Sequence, residues 1–260
     1  MIHPTAIISP TAELASDVEA GPYAVIEDGV RIGPGCRIEA HAQVLRGVTM
    51  GARNTVDRGA VIGGNPQSLS FDVSLPSRVR IGDDNVFREY VTVHRSAAEN
   101  SETVIGHHNF LMAGCHIGHD SVLGDHNVLA NNVLIAGHVT VGNRCFLGGG
   151  AGFHQFIRIG DIAMVQGNSA ISKDIPPFCI GYQANFAGGL NVVGLRRAGY
   201  SSAVRLELKR AWAAAYLSLL GPVKGAAAAL AEGNWSDAAQ VFLRFVSTPG
   251  PKGTVAPRRR

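Results

Sequence analysis

The chain carries an apolar residue at every sixth position from Ile2 to Ile171, apart from two interruptions. An α-helix repeats near 3.6 residues and a strand near 2, so neither alone produces a long-range period of six. Hexapeptide repeats are typical of a parallel β-helix, in which each hexad forms one short strand and a turn. The series runs through Ile2, Ile8, Leu14, Ala20, Ile26, Ile32, Ile38, Val44, Met50, Val56, Ile62, then Ile81, Phe87, Val93, then Ile105, Leu111, Ile117, Leu123, Leu129, Ile135, Val141, Leu147, Phe153, Ile159, Val165 and Ile171.

This period predicts a mainly β protein whose hexad positions point inward and stack from one coil to the next. Three hexads would make one turn of a triangular prism. Hexapeptide-repeat proteins are known for left-handed winding, an exception to the usual right-handed crossover, and we expect it here. Glycine often follows the hexad position, which we attribute to corners that need positive φ or close backbone approach. These glycines are Gly33, Gly51, Gly63, Gly82, Gly106, Gly118, Gly124, Gly142, Gly148 and Gly160.

The repeat is interrupted twice, at about residues 64–78 and 95–103, and it ends at Pro176-Pro177. Insertions in solenoids form loops on one face, often the binding face. Helical patterns follow at 201–220, 223–232 and 236–246, with Ser201 and Ser236 as candidate N-caps and a break at Gly221-Pro222. We therefore predict a left-handed parallel β-helix over 1–190 and a small α-helical domain over 191–260 that covers the open coil end and carries a basic tail, Arg258 to Arg260.

Composition excludes several classes of function. The net charge is +3, too small to indicate nucleic-acid binding. No apolar run is long enough to cross a bilayer, and Pro4 and Pro10 interrupt the N-terminus, so we expect neither a membrane span nor export. The cysteines, Cys36, Cys115, Cys145 and Cys179, show no paired spacing, which favours reduced thiols in a cytoplasmic protein.

Seven of the ten histidines lie between residues 107 and 154. A coil of three hexads brings His119, His138 and His154 to one edge of the prism, about 4.8 Å apart per coil. Two kinds of chemistry fit such a cluster. An imidazole beside the acidic Asp120 suits general-base catalysis. Alternatively, His116, His119 and His138 would imitate the three-histidine zinc site of hexapeptide-coil carbonic anhydrases. Solvated turn histidines without a function are the third possibility.

Polar motifs recur in a fixed order along the repeat and into the helical end. They are Leu111-Met-Ala-Gly-Cys-His-Ile-Gly-His-Asp-Ser-Val-Leu-Gly124, Leu129-Ala-Asn-Asn132, Ala136-Gly-His-Val139, Phe153-His-Gln-Phe156, Asp174-Ile-Pro-Pro177 and Asn191-Val-Val-Gly-Leu-Arg-Arg197. In order and spacing these motifs resemble those of the acyl-ACP:UDP-N-acetylglucosamine O-acyltransferases of lipid A synthesis. The resemblance covers nearly the whole chain.

The resemblance implies a role for each matching residue. His119 would be the general base on the sugar 3-hydroxyl, Asp120 would orient it, and the Gly137 N–H would stabilise the thioester oxyanion. The acyl and sugar pocket would be lined by His116, His138, His154 and Gln155. Gly167 would lie where acyl-chain length is measured, and Asn191 and Arg197 would contact the nucleotide.

The same resemblance implies partners and the absence of a cofactor. The protein would be a homotrimer with active sites between neighbouring prisms. It would take a 3-hydroxyacyl group from acyl carrier protein, and no metal or diffusible cofactor would take part. The basic residues Arg196, Arg197, Arg205, Lys209 and Arg210 would either bind that acidic carrier or form an ordinary solvated helix face.

The acceptor-binding half departs from the family pattern. The family carries Pro-Gln-Asp-Leu-Lys where this chain has Pro66-Gln-Ser-Leu-Ser70, so Gln67 is kept while Ser68 and Ser70 replace an acid and a lysine. Val193 replaces an acidic residue, and Ala198 replaces the second arginine of a pair. The sequence predicts an acyl-ACP-dependent O-acyltransferase acting on a UDP-sugar. A different hydroxyl or amine acceptor, zinc-dependent hydration and a non-catalytic trimeric scaffold stay open as alternatives.

Overall fold

A computed structural model describes residues 1–258 of the chain as a long β-helix followed by four helices. Arg259 and Arg260, the end of the predicted basic tail, lie outside the described residues. The β-helix consists of short strands, most of them two residues long. In chain order they are β1 (Ile7–Ile8), β2 (Glu13–Leu14), β3 (Glu19–Ala20), β4 (Val25–Ile26), β5 (Arg31–Ile32), β6 (Arg37–Ile38), β7 (Gln43–Val44), β8 (Val48–Met50), β9 (Thr55–Val56), β10 (Val61–Gly64), β11 (Arg78–Ile81), β12 (Val86–Phe87), β13 (Thr92–His94), β14 (Glu102–Ile105), β15 (Phe110–Leu111), β16 (His116–Ile117), β17 (Val122–Leu123), β18 (Val128–Leu129), β19 (Leu134–Ile135), β20 (Thr140–Val141), β21 (Phe146–Leu147), β22 (Gly152–Phe153), β23 (Arg158–Ile159), β24 (Met164–Val165), β25 (Ala170–Ile171), β26 (Cys179–Tyr182) and β27 (Phe186–Leu190).

Up to β25 every third strand pairs in parallel, so the strands form three sheets that are the sides of the prism. At the end of the coil β26 pairs in parallel with β24, and β27 pairs antiparallel with β26. Sheet I contains β1 and every third strand to β25, sheet II runs from β2 to β23, and sheet III from β3 through β26 to β27. Paired residues lie one coil of three hexads apart, as in His116 opposite Leu134 and Leu134 opposite Gly152. The predicted left-handed parallel β-helix is confirmed.

The hexad positions form the core. From Ala20 to Ile171 every one of them is buried, with at most 3% of its surface exposed. At the first coil Ile2 is exposed and Ile8 half-buried, because no coil lies beneath them. Burial of this continuous apolar column is the main stabilising contribution to the coil, at roughly 25 cal/mol per Å² of apolar surface removed from water.

The glycines after the hexad positions are there for close approach rather than for positive φ. Of the ten, only Gly63 has positive φ. At Gly106 an added Cβ would lie 2.2 Å from Asp125 Oδ1 in the next coil, so no side chain fits. Positive φ falls instead on the third residue after the hexad position, including Asp120, His138 and Phe156.

Both predicted interruptions are loops, at 65–77 between β10 and β11 and at 95–101 between β13 and β14. Arg95, in the second loop, forms hydrogen bonds with residues of the first loop. Its guanidinium donates to Asn65 Oδ1 at 2.9 Å, to the Leu75 carbonyl at 2.6 Å and to the Val73 carbonyl at 2.8 Å. The two loops therefore form one connected structure on one side of the coil.

The helices are α1 (Val192–Arg197), α2 (Ser202–Tyr216), α3 (Pro222–Glu232) and α4 (Asp237–Ser247). They follow the last strand and α2 lies against β27, at the end of the coil. The Ser201 side chain accepts from the Val204 N–H, which confirms the predicted cap of α2. Among the described residues, no helix is long and apolar enough to cross a membrane.

Two expectations about the helices were wrong, and one helix was not foreseen. The short helix α1 was not predicted, because Asn191, which caps it, follows a strand directly. Helix α2 ends at Tyr216 rather than 220, since a turn in which the Gly221 N–H donates to the Ser218 carbonyl replaces its last residues. Ser236 precedes α4 but makes no side-chain cap, and its hydroxyl is buried without a partner among the described residues.

The chain returns to the coil after α4. We call residues 248–258 the C-terminal strap. Thr254 bridges to Asp174 and Ala256 bridges to Phe186, while Val255 is fully buried. The strap is anchored by an ion pair in which Arg158 Nη2 lies 2.7 Å from Asp174 Oδ2, and only 1% of the Asp174 side chain is exposed.

Candidate active site

The polar motifs meet where sheet I turns into sheet II, which we call the I/II corner (residues 118–121, 136–139 and 154–157). The coil register stacks His119, Gly137 and Gln155 in one column and Asp120, His138 and Phe156 in the next. The tight turns at this corner hold the third residue of each at positive φ, which directs these side chains outward.

His119 and Asp120 form a hydrogen-bonded pair. His119 Nδ1 lies 2.7 Å from Asp120 Oδ2, and 19% and 8% of the two side chains are exposed. The carboxylate therefore forms its hydrogen bond with Nδ1, and Nε2, on the opposite side of the imidazole, is available to a substrate. A histidine held in this way by an acid is the usual arrangement of a general base.

Asp120 is itself held by residues of the second loop and the strand after it. The Ser96 hydroxyl donates to Oδ1, the Ala97 N–H donates to Oδ2 at 3.1 Å, and the Asp120 N–H donates to Thr103 Oγ1 at 2.8 Å. Burial would raise the pKa of Asp120, but these hydrogen bonds and that with His119 outweigh it and hold the pKa below its usual value. Asp120 therefore stays ionised beside the imidazole.

Gly137 lies directly against the His119 ring. A Cβ at this position would be 2.6 Å from both Cε1 and Nε2 of His119, so only glycine lets the imidazole occupy its place. The backbone N–H of Gly137 has no hydrogen-bond partner within residues 1–258. At the corner between sheets II and III, the equivalent N–H groups of His107 and Asp125 are each taken by a side chain of the next coil. The Gly137 N–H thus has no hydrogen-bond partner in the described chain, in a residue that lies against the His119 ring.

These residues line an open cleft of about 890 Å³ along sheet I. Four histidines, His94, His116, His119 and His154, face it together with the predicted Gln67 and Gln155. The apolar part of its lining includes Leu134, Ala136 and Ala170. No aspartate or glutamate is among its lining residues over the described chain, so the cleft favours an anionic or neutral polar ligand.

His94 and His116 form a second pair deeper in the cleft, with ring centroids 4.6 Å apart in an edge-to-face arrangement. Burial, with the nearby imidazoles of His116 and His119, lowers the pKa of His94 to about 4. Burial also lowers the pKa of His116, whose Nδ1 lies 2.8 Å from the Thr92 hydroxyl. Both rings are therefore neutral near pH 7.

His138 and His154 lie at the same corner in different surroundings. The His138 ring contacts the His119 ring at a centroid distance of 5.1 Å and stacks on Phe156 at 4.7 Å. It is not among the residues that line the cleft, whereas His154 is. The predicted role of both histidines in substrate binding stays a prediction.

His119, Asp120 and His138 place possible metal-ligand atoms within 4.8 Å of one another, while His116 of the zinc hypothesis is not in that group. The 2.7 Å contact of His119 Nδ1 with Asp120 is a hydrogen bond. Two ligand atoms of a tetrahedral zinc are separated by about 3.3 Å, given bonds near 2.0 Å. The trio thus has the geometry of a hydrogen-bonded pair beside a third side chain, His138, whose Nε2 lies 3.6 Å from Asp120 Oδ2, rather than of a metal site.

The remaining predicted residues lie elsewhere on the chain. Asn191 and Arg197 line a second cleft of about 570 Å³ beside Phe146 and Met164 of sheet III. Asn191 also accepts from the Gly194 N–H and donates to the Ile162 carbonyl. Gly167 is exposed at the corner between sheets III and I, outside both clefts. Ser68 is exposed and bonded to Ser70, Oγ to Oγ at 3.2 Å.

Sequence reasoning missed the residues that surround the predicted ones. Ser96 and Thr103 flank the second interruption of the repeat, and that interruption was the available signal for a loop folded onto Asp120. His94 occupies the end of β13, directly before that loop. Lys252, whose Nζ lies 2.5 Å from His154 Nδ1, is distant from it in sequence and has no local signal.

Comparisons with known families agree with this architecture. Residues 174–255 match the family profile described as UDP N-acetylglucosamine O-acyltransferase, domain 2. Residues 102–137 match the bacterial transferase hexapeptide profile of six repeats.

Individual relatives extend over the whole chain. The acyl-[acyl-carrier-protein]–UDP-N-acetylglucosamine O-acyltransferase of Herminiimonas arsenicoxydans is 45% identical over 98% of this chain and 99% of its own. The solved UDP-N-acetylglucosamine O-acyltransferase of Moraxella catarrhalis is 35% identical, with a TM-score of 0.92 over 98% of this chain and 99% of its own. The solved UDP-N-acetylglucosamine acyltransferase of Campylobacter jejuni is 32% identical, with a TM-score of 0.92 over 99% and 100%.

Proposed function

The chain belongs to the acyl-[acyl-carrier-protein]–UDP-N-acetylglucosamine O-acyltransferase family, and from that membership we propose that the I/II corner is its catalytic centre. The protein is an acyltransferase that moves an acyl group from acyl carrier protein to UDP-N-acetylglucosamine. The acceptor atom is the sugar 3-hydroxyl and the reaction is the first step of lipid A synthesis. The observation that carries the catalytic assignment is the Asp120–His119 pair with its free Nε2 beside Gly137.

His119 is the general base of this proposal. Nε2 removes the proton of the sugar hydroxyl as its oxygen attacks the thioester carbonyl carbon, and the ionised Asp120 stabilises the imidazolium that forms. The tetrahedral intermediate then expels the pantetheine sulfur, and the imidazolium returns its proton to that thiolate. Proton and charge both balance with no co-reactant.

The Gly137 N–H is the oxyanion donor. It belongs to a residue that lies against the His119 ring, and it has no partner over residues 1–258, which is what a donor reserved for developing charge requires. Hydrogen bonds of this kind contribute about 3 kcal/mol to transition-state stabilisation. His116, His154, Gln155 and Gln67 line the cleft where the sugar and the acyl group would lie.

The active form is a homotrimer with each site between two chains. Support comes from two observations. Leu134, Val122 and Phe146 are 52%, 40% and 42% exposed on sheets I, II and III, which leaves apolar side chains on all three faces of the coil. In addition, His119 and the pair Asn191 and Arg197 line different clefts of one chain, so a neighbouring chain would complete the site. Sedimentation should give three times the single-chain mass of 27.3 kDa.

No metal or diffusible cofactor is part of this proposal, since the proton transfer and the oxyanion site use only residues of the chain. We place the enzyme in the cytoplasm. All four cysteines are buried and free, as in proteins of a reducing compartment.

The test is an assay of purified protein with UDP-N-acetylglucosamine and 3-hydroxyacyl carrier proteins of several chain lengths, read by mass spectrometry. We expect acylated UDP-N-acetylglucosamine, and a loss of roughly 10²- to 10⁴-fold in kcat for His119→Ala. His107→Ala, which removes an imidazole at another corner, is the matched control and should keep its activity. Absence of the product at every chain length would reject this acceptor, and an active His119→Ala would reject the base.

A further inference from the structure

The C-terminal strap brings a lysine to the candidate active site. In the strap, Lys252 lies in a turn closed by the Gly253 N–H donating to the Gly250 carbonyl at 3.0 Å. Its Nζ lies 2.5 Å from Nδ1 and 3.3 Å from Nε2 of His154, at the edge of the cleft. A side chain from the end of the sequence therefore reaches the residues proposed to hold the substrate.

The backbone of this lysine is fixed on both sides. Before it, the Gly250 N–H donates to Asp174 Oδ2 at 2.8 Å, and the Thr248 carbonyl accepts from Arg158 Nη2 at 2.7 Å. After it, the Asp174 N–H donates to the Gly253 carbonyl and the Val255 N–H donates to the Asp174 carbonyl, both at 2.9 Å. Buried Asp174 thus forms hydrogen bonds with the backbone before and after Lys252. These bonds fix the position of the Lys252 backbone.

The ammonium has no anionic partner in the described chain. Within residues 1–258 no carboxylate forms an ion pair with Lys252, and no carboxylate lines the neighbouring cleft. The lysine is half-buried as a residue, and its ammonium lies beside the exposed imidazole of His154 with no counter-charge in the described chain. An arrangement of this kind suits a ligand that brings its own negative charge.

From this geometry we infer that Lys252 binds a phosphate group of a substrate in the cleft. The inference rests on the proposed function, which supplies two phosphate-bearing ligands. One is the diphosphate of the UDP-sugar and the other is the phosphodiester of the pantetheine arm. Lys252 is a positioning residue rather than a proton-transfer group, because its side-chain contacts within the described chain are to His154 and not to His119 or Gly137.

The experiment compares full-length wild type with Lys252→Met, which keeps the length and apolar stem, and Lys252→Arg, which keeps the charge. Lys224→Met is the control, since Lys224 is exposed on α3. KM is measured for UDP-N-acetylglucosamine and for the acyl carrier protein in turn. Lys252→Met should raise one KM about tenfold, equivalent to about 1.4 kcal/mol, with kcat nearly unchanged. Lys252→Arg should restore most of it, and Lys224→Met should match wild type.

The substrate whose KM rises identifies the phosphate. Unchanged KM for both substrates in Lys252→Met would overturn the inference. A fall in kcat that Lys252→Arg does not restore would overturn it as well, because it would indicate a purely structural role. Calorimetric titration with UDP and with 4′-phosphopantetheine tests the inference without turnover. Weaker binding of either probe to Lys252→Met supports it, and equal binding, or none to either protein, overturns it even where the acyl-transfer assay itself fails.

Discussion

At the scale of single residues, the site depends on the absence of a side chain at Gly137. His119 can turn Nε2 toward the cleft only because the residue one coil above it has no Cβ. The general base and the proposed oxyanion donor therefore come from adjacent coils in direct contact. The same closeness fixes the distance between them without any flexible side chain, which reduces the entropy lost on reaching the transition state.

We expect Gly137→Ala to lose most activity while keeping the fold. The new methyl group would lie 2.6 Å from the His119 ring and displace it from Asp120, so kcat should fall roughly 10²-fold or more, as for removal of one catalytic group. Gly188→Ala is the matched control, since its Cβ would meet Ile180 at an ordinary 3.4 Å. Steady-state kinetics with a thermal melt would measure both, and wild-type kcat in Gly137→Ala would contradict the proposed packing.

At the scale of the turns, buried asparagines link successive coils. In the turns after sheet II, Asn54, Asn85, Asn109 and Asn127 are buried at equivalent positions. Asn85 Nδ2 donates to Asn54 Oδ1 and to the carbonyls of Asp83 and Gly106, while its Oδ1 accepts from the N–H of Asn109. The ladder ends at Asn127, because Cys145 at the next equivalent position donates its N–H to Asn127 Oδ1 but has no side-chain amide. Asn127 Nδ2 has no partner among the described residues.

An inner asparagine and the last asparagine of this ladder should respond differently to alanine. Asn85→Ala removes the acceptor of two buried donors, the N–H and Nδ2 of Asn109, together with the Nδ2 donor to Asn54 Oδ1 and to two backbone carbonyls. It should lower the free energy of unfolding by roughly 2–5 kcal/mol. Asn127→Ala leaves only the Cys145 N–H unpaired and should cost about 1–2 kcal/mol. Denaturant unfolding at equal protein concentration distinguishes the two values, and equal losses would show that the side-chain ladder does not stabilise the coil.

At the scale of the whole molecule, the buried histidines make stability depend on pH. The pKa of His94 is about 4 in the folded chain, against 6.5 when it is unfolded. Below pH 6.5 the unfolded chain therefore binds a proton that the folded chain does not. Stability falls as the pH drops from 6.5 to 4, by roughly 3 kcal/mol in total, and His116 acts in the same direction. Asp120, whose pKa is lowered, contributes stability above its unfolded pKa that is lost only at lower pH.

His94→Gln should reduce the loss of stability that accompanies the fall in pH from 6.5 to 4. The variant has no titrating group at that position, so its melting temperature should fall less than that of wild type as the pH is lowered from neutral toward the folded-state pKa of His94. The comparison concerns the slope with pH, whatever the stability of the variant at neutral pH. An identical slope in both proteins would mean that His94 is protonated when folded and is not buried as described.

The sequence by itself determined the coil, its three-hexad register and the edge to which it assigns His119, His138 and His154. Each hexad contacts its equivalent in the next coil, and that contact is the cause of the period. The assignment of roles came from motif resemblance rather than from the period. Only the tertiary structure decided that Ser96 and Ala97 hold Asp120, that no carboxylate of residues 1–258 lines the cleft, and that Lys252 reaches His154. Those contacts join loops and a strap that follow no repeat, so their geometry is set by long-range packing that leaves no local pattern in the chain.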